Sequence, residues 1–592
     1  TEGWKGIVMT TFGFFKVCWC SGIASGSCSK GEDFTYVAGY VLVSGEFRTI
    51  VGPDIPPFVQ PAYVGEEQVP ALSTVNTASI QGVTVDDTGS FLWFSENHRL
   101  REVDLRTGLV KTVVGSLNSS RCLIGEGCGD GGPGLQAGLF NPVGVAYCEG
   151  EVLIADSGNN RIRSYKPSTG VIVTLAGTGE PSYRGDDGPP LQAAFNKPTG
   201  VTCDRTRGFW VADAGNYAIR LVERQWVLSP GEGVVRRSVG GLGPGISKFG
   251  DWSTSAHING VGQIALTKDA LGNSRSVAYT EIGIENHTTP YARYVPLVGN
   301  GVTGPLQTAV GTGDVGYRTV TQYGGDMLVS LNAPEGLAVD GESTMFVADT
   351  GNHRILMVPF VQYRFRGCFK EYIVGSSAGQ LIPSIEGDPE VVLSGGDLKC
   401  EPPDSANDDV LVQRPNAVQE CARAAHLKGW QFFAVRCGGV CASAENAGDR
   451  YNFLGPSETC SLGRGSAQAN SVFELVPGPA RDILGRAYVI SGSAFSTGGK
   501  PNAQFFGDWQ SAWTSSVDSP AQLAFDAARK NLFIVDRGNK RIRAIMGTLG
   551  PSPTTQLFRC VNGLDCSLAI RGNALSSKDH ISFARVEAGG EP

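Results

Sequence analysis

Apolar and polar positions along this chain change over in short bursts. A helical stripe is read at one place, where Val418, Cys421, Ala422 and Ala425 fall on one face and the run stops at Gly429. Elsewhere the pattern is of strands, and it repeats. GVTVDDTGSFLWFSENHRLREV from Gly82, GVAYCEGEVLIADSGNNRIRSY from Gly144 and GVTCDRTRGFWVADAGNYAIRLV from Gly200 share one plan. GLAVDGESTMFVADTGNHRILMV from Gly336 and QLAFDAARKNLFIVDRGNKRIRAI from Gln522 follow it too. Each unit reads as a short strand, a turn, an apolar strand that ends at an acidic residue, a polar turn and a third strand. A fourth strand follows several of them, as KTVVGS at 111–116, VIVTLAGTG at 171–179 and RRSVGG at 236–241.

Four antiparallel strands in a repeat of this length are the pattern of a propeller blade. The units resemble the NHL repeat, including the linker GDGGPGLQAGLFNP at 129–142 and its echo GDDGPPLQAAFNKP at 185–198. The resemblance implies an all-β, NHL-like propeller. Its blade count comes from spacing. The first three units lie 62 and 56 residues apart, whereas 136 residues separate Gly200 from Gly336, so a degenerate blade is expected between them. GVGQIALTKDALGNSRSVAYTE at 260–281 supplies its first two strands without the D-x-G-N turn, and RYVPLVGNG at 293–301 a later one. Six blades result. EFRTIVG at 46–52 reads like the last strand of a blade but precedes the first complete one, so it is expected to close the ring on the sixth.

The recurring turn is read as structural. Asp156 ends a strand and can accept from backbone N–H groups of the turn, Gly158 can take a positive φ, and Arg161 can pair with a nearby aspartate. With Asn159 these form a set that recurs as Asp349, Asn352 and Arg354, and as Asp536, Asn539 and Arg541. A catalytic group is needed once per protein; a turn is needed once per blade.

After GNHRILMVPF about 115 residues intervene before RAYVISGSAF at 486–495 resumes the repeat. The inserted segment resembles a WSC domain, a small disulfide-rich α+β module usually credited with carbohydrate binding. It departs from the fuller pattern in GGVCAS and in an extended loop at 371–413. Tyr451, Asn452 and Trp430 would be its natural glycan contacts, because sugar C–H faces stack on rings and hydroxyls pair with amides. Trp430 and Phe432 read first as core. The expected division is a β-segment over 1–45, propeller over 46–362, insertion over 363–477, the end of blade 5 and blade 6 over 478–550, and a tail over 551–592. The N-terminal VCWC and DFTYVAGYVLVSG resemble the closing strands of β-domains in large surface proteins of unicellular eukaryotes. They form a hairpin that cannot stand alone.

Fifteen cysteines cluster at short spacings, which suits disulfides and an oxidising compartment. Zinc is the competing reading, but no C-x-x-C pair is matched at finger spacing. Cys122–Cys128 and Cys560–Cys566 are expected as local bridges, and Cys368, Cys400, Cys421, Cys437, Cys441 and Cys460 as a set paired among themselves. Sequons at Asn118 and Asn286 agree with secretion. The start at Thr1 reads as processed, or as part of a longer chain. Net charge is −8 with 18% charged residues and no long basic run, so nucleic acid is not an expected partner. No run is apolar enough to span a bilayer as a helix.

Two classes of function follow. The first is a non-enzymatic extracellular structural or adhesive protein that needs no cofactor and self-associates into a homo-oligomer or filament, with possible glycan binding. The donor strand for assembly would be the tail patch LFRCVNGLDCSLAI, given to the N-terminal hairpin of a neighbouring subunit. The alternative is a metal-dependent propeller enzyme. NHL-type propellers include a lyase that uses metal-bound histidines, but His98, His257, His287, His353, His426 and His580 do not recur at inner positions. A lactonase-like calcium hydrolase would use channel carboxylates, with Glu281 and Asp269 the first suspects.

Overall fold

The computed structural model describes residues 13–20, 36–43, 46–52, 69–70, most of 79–316 and 325–371, the stretches 381–393, 417–475 and 510–546 with gaps, and 486–492, 558–560 and 580–585. It is an all-β ring of six blades. The innermost strands Ile80–Val85, Val145–Cys148, Pro198–Asp204, Val261–Lys268, Gly336–Val339 and Pro520–Asp526 each pack against the next, and the last against the first. Each blade is a four-stranded antiparallel sheet running from this inner strand outward, with a short fifth segment added in three of them.

Both faces of each blade are covered by neighbours, so the core lies between blades and the second strands are almost continuously apolar. Leu92, Phe94, Leu153, Ile154, Phe209, Val211, Val347, Leu532 and Ile534 are all fully buried. Burial of one such side chain stabilises the fold by about 1.5–3 kcal/mol. Separate apolar clusters fill the interfaces of blades 1 and 2, 2 and 3, 3 and 4, 5 and 6, and 6 and 1. The cluster between blades 4 and 5 continues into the insertion, so the inserted module is seated on the ring rather than held away from it.

The sixth blade is completed from the other end of the chain. Glu46–Val51 pairs antiparallel with Arg541–Ile545, Phe47 opposite Ile545 and Val51 opposite Ile542. In every blade the pairing of third and outer strands carries a register shift at the same place, such as Ile162/Arg163 and Thr49/Val51. This bulge lets Phe47 enter the interface of blades 5 and 6 while Val51 enters that of 6 and 1. A glycine at positive φ ends each outer strand: Gly52, Gly115, Gly177, Gly240, Gly311 and Gly492. A Cβ at Gly115 would lie 2.3 Å from the His98 carbonyl oxygen.

Outer edges are covered by the chain entering the blade. Val69–Pro70 pairs with the outer strand of blade 1, Gly325–Asp326 with that of blade 5 and Gln510–Ser511 with that of blade 6. The linker N–H of Gly131 and carbonyl of Gly132 bond to Ile172 of blade 2, and Asp187 and Gly188 do the same to Val235 of blade 3. Capped edges cannot recruit a stray strand.

Two further sheets stand outside the ring. In the insertion the order is Tyr363–Lys370, Ala469–Leu475, Phe432–Arg436, Val440–Ser443, with helix Ala417–Lys428 packed on the last two. The second corrects the expectation for the termini. The hairpin Gly13–Cys20/Tyr36–Val43 is flanked by Phe558–Cys560 and His580–Arg585 of the same chain. The tail therefore completes its own hairpin here, where the sequence reading gave it to a neighbour.

Candidate functional site

At the end of each second strand an acidic side chain meets a buried arginine from the third. The pairs are Glu96–Arg99 at 2.9 Å, Asp156–Arg163 at 3.5 Å, Asp213–Arg220 at 3.4 Å, Glu281–Arg293 at 3.4 Å, Asp349–Arg354 at 2.7 Å and Asp536–Arg543 at 3.2 Å. All twelve residues are buried. The expected partner Arg161 instead points to the Thr178 carbonyl and the Cys128 sulfur, and Arg541 donates to the Asn539 carbonyl. Arginines two residues further along make the ion pair in those blades. In blade 5 that further position is Leu356, and Arg354 takes the role.

The pairs are embedded in hydrogen bonds. One oxygen of Asp156, Asp213, Asp349 and Asp536 accepts the backbone N–H of Phe140, Asn196, Asn332 and Asp518, at 2.7 to 2.9 Å. Another bond comes from the turn amides Asn159, Asn216, Asn352 and Asn539. Arg163 reaches on to Asp130 at 2.8 Å and Arg220 to Asp186 at 2.8 Å, which ties the G-D linkers to the blades they enter. Burial raises these carboxyls above their ordinary range, Asp213 to about 6, against the opposing pull of the Asn196 N–H, Asn216 and Arg220.

The turn glycine serves a different purpose from the one expected. Gly158 is not at positive φ; the left-handed residue is Asn160 at φ 52°, with Tyr217 at 53° and His353 at 50° in other blades. Glycine is required because a Cβ at residue 158 would lie 2.5 Å from the Phe140 carbonyl oxygen. A turn side chain links neighbouring blades, that of the left-handed residue in Asn160 and His353 and that of the residue after left-handed Asn97 in His98. Asn160 Oδ1 accepts the Lys197 N–H at 2.9 Å, His353 Nδ1 the Ser519 N–H at 3.0 Å and His98 Nδ1 the Asn141 N–H at 3.2 Å. His98 also stacks on Phe140, and burial lowers its pKa, which suits a neutral ring that accepts at Nδ1.

Glycines also begin the inner strands of four blades. A Cβ at Gly82, Gly144 or Gly336 would lie 2.1, 2.6 or 1.8 Å from the carbonyl oxygen of Val143, Thr199 or Ala521 in the next blade. By register, blades 4 and 6 place Gln263 and Gln522 there. Gln263 Oε1 accepts the N–H of Leu337 and of Leu523, and its Nε2 donates to the Leu523 carbonyl. One amide thus joins the inner strands of blades 4, 5 and 6, while Gln522 accepts from Val83 of blade 1 at 2.7 Å.

Glu281, the suspected calcium ligand, is the blade-4 member of the acid–arginine series. The degenerate blade thus keeps the buried pair after losing the turn motif. Burial pushes this carboxyl up to about 6 against Arg293. Asp269, His287, Asn118, Asn286, Cys400 and Cys566 lie outside the described residues. Among those described, no group of three or more His, Cys, Asp or Glu is placed to hold a metal.

Disulfides join Cys122–Cys128, Cys368–Cys460 and Cys421–Cys441, and Cys437 is also disulfide-bonded. Cys148–Cys203, unpaired in the sequence reading, ties the inner strands of blades 2 and 3. Cys560 pairs by backbone with Val41. In the insertion, Trp430 packs on the core, Tyr451 lies against Phe369 and Phe432, and Asn452 is exposed. Phe453 beside them, overlooked in the sequence, is 79% exposed.

Comparison with known proteins gives a match to the NHL repeat at residues 141–165, within blade 2. Protein SUPPRESSOR OF QUENCHING 1, chloroplastic, of Arabidopsis thaliana is 30% identical over 154 residues, 25% of this chain and 14% of its own length. NHL repeat-containing protein 2 of Homo sapiens is 34% identical over 137 residues, 22% of this chain and 18% of its own length. The similarity therefore spans less than a fifth of either relative. A solved auxiliary nutrient binding protein from Bacteroides thetaiotaomicron aligns over 87% of this chain and 78% of its own, with 10% identity and a TM-score of 0.44. The chain is a six-bladed, four-stranded β-propeller whose second blade matches the NHL repeat.

Proposed function

We propose that this protein is a non-enzymatic scaffold of the cell exterior or surface, a subunit that assembles with copies of itself. The observation that carries the reading is how the ring spends its polar groups. In all six blades the strand-end carboxylate is neutralised by a buried arginine, and the axial glutamines are bonded to backbone of neighbouring blades. These groups fix a rigid ring and leave recognition to what projects from it. The Cys148–Cys203 bridge supports an oxidising compartment. A glycan-contact role for the insertion centres on Asn452 and Phe453, an amide and an aromatic face both open to solvent.

The test is to express the chain with a secretion signal, purify it and measure native mass by light scattering, metal content and binding to a glycan array. The reading requires assemblies larger than one chain and no stoichiometric metal. A monomer carrying one zinc or calcium would overturn it in favour of a metal-dependent propeller hydrolase or lyase. Loss of array signal in Phe453→Ala would assign the glycan contact.

A further inference from the structure

We propose that the mouth of the ring opposite the acid–arginine pairs binds a small oxyanion, a carboxylate or a phosphate, between Arg205 and Lys268. The inference goes beyond the scaffold reading and does not depend on it. Counted by register from the acid–arginine pair, Asp87, Glu149, Arg205 and Lys268 occupy one position in four successive blades, at the far end of the inner strand. Around the mouth that position is acidic twice and then basic twice. Arg205 Nη2 lies 2.5 Å from Asp87 and its Nε 3.0 Å from Glu149, so the side chain reaches past blade 2 to blade 1. All three side chains are open to solvent.

Two carboxylates thus orient the guanidinium through Nη2 and Nε, and among the described residues Nη1 donates to nothing. Lys268, at the end of the blade-4 inner strand, is half-buried and has no carboxylate within ion-pair distance among the described residues. Burial and then the charge of Arg205 lower its pKa, against the pull of Asp87, Asp204 and Glu149. Asp204 is already committed to Thr206, Arg207 and Trp210. Adjacent blades therefore bring two cationic donors to one mouth with N–H groups unused. An anion with two or more acceptor oxygens satisfies both through charge-assisted hydrogen bonds. A cation does not fit, because Asp87 and Glu149 already share Arg205. The site is also held in place beforehand. Cys148 directly precedes Glu149 and Cys203 stands two residues before Arg205, so their disulfide fixes blades 2 and 3 to each other beside the anion's position.

The test is calorimetric titration of the full chain at pH 7.5, in Tris buffer, with inorganic phosphate and separately with acetate. The expected result is saturable binding of one anion per chain, weakened at least tenfold in Lys268→Met and in Arg205→Gln and retained in Lys268→Arg. The ion pairs of Arg205 are exposed, so its loss leaves the fold intact, and melting curves taken without either anion check this for each variant. Arg236→Gln is the matched control. It removes a comparably exposed arginine of blade 3 that lies 2.7 Å from Glu223 and 3.2 Å from Asp187, and binding should not change. Phosphate binding without acetate binding, or the reverse, assigns the oxyanion. No saturable binding of either overturns the proposal. So does binding that survives both Lys268→Met and Arg205→Gln, or that falls as far in Arg236→Gln.

Discussion

A buried carboxylate beside a buried arginine is costly to desolvate, and removing one partner is worse than removing both. Arg220→Met leaves Asp213 buried without its counter-charge, so we expect a loss of about 3–5 kcal/mol at pH 7.5 by denaturant titration. The sign with pH follows. Asp213 has its folded pKa raised to about 6, so the folded state binds the extra proton between the ordinary carboxylate range and pH 6. The stability this confers is present at low pH and lost as pH rises through about 6. Without Arg220 the carboxyl is raised further, so the penalty in Arg220→Met should shrink as pH falls toward 6 and level off below it; a penalty constant from pH 5 to 8 would refute the account. His98 works in the opposite sense. Its pKa is lowered by burial, so its contribution is complete above the ordinary histidine pKa of about 6.5 and declines as pH falls below it. His98→Asn, which keeps an acceptor, should flatten the acid side of the wild-type profile. The aspartate's place was legible in the sequence, but its partner was not. Positions 161 and 163 share one side of a strand of period two, and which comes nearer the carboxylate differs between blades: the further arginine in blades 2 and 6, Arg99 ahead of Arg101 in blade 1, and Arg354 in blade 5, where the further position is Leu356.

Among elements, the inner strands are the least tolerant. Gly336→Ala puts a methyl against the Ala521 carbonyl, inside any allowed contact. It should cost at least about 3 kcal/mol, against a smaller loss of about 1 kcal/mol for Gln522→Gly, which forfeits one hydrogen bond to Val83. Denaturation midpoints of the two variants decide the order. Cys148→Ala with Cys203→Ala removes a link across 55 residues, worth about 4 kcal/mol by loop closure, whereas Cys122–Cys128 spans 6 and should matter by about 2 kcal/mol at most. The blade repeat could be read because each four-stranded unit is local in sequence. The Cys148–Cys203 bridge could not, because those cysteines lie in different repeats and only stacking of the blades brings them together.

For the whole molecule, closure of the ring was legible in FRTIVG, whose last glycine is the one that ends every outer strand. The terminal sheet was not. Its outer strands come from a tail over 500 residues away from the hairpin they flank, and nothing in the period of either segment names the other. Deleting residues 1–51 should leave blade 6 with an open third strand and turn a cooperative melt into aggregation on a sizing column. A truncated chain that stays monodisperse and melts as before would show that closure adds no stability.

That closure also imposes a schedule. The strand that seals the ring, Glu46–Val51, is made about 490 residues ahead of its partner Arg541–Ile545. At roughly 5–20 residues per second, it waits on the order of 25–100 s before that partner exists. Blades 1 to 4 can stack as they emerge, the outer edges of the first three sheathed by linkers already made. The sealing strand meanwhile has nowhere in the chain to go. A cell making this protein has to keep that segment from other chains until blade 6 has been made, and crowded ribosomes on one message would bring unsealed strands close to the blade 6 of a neighbouring chain.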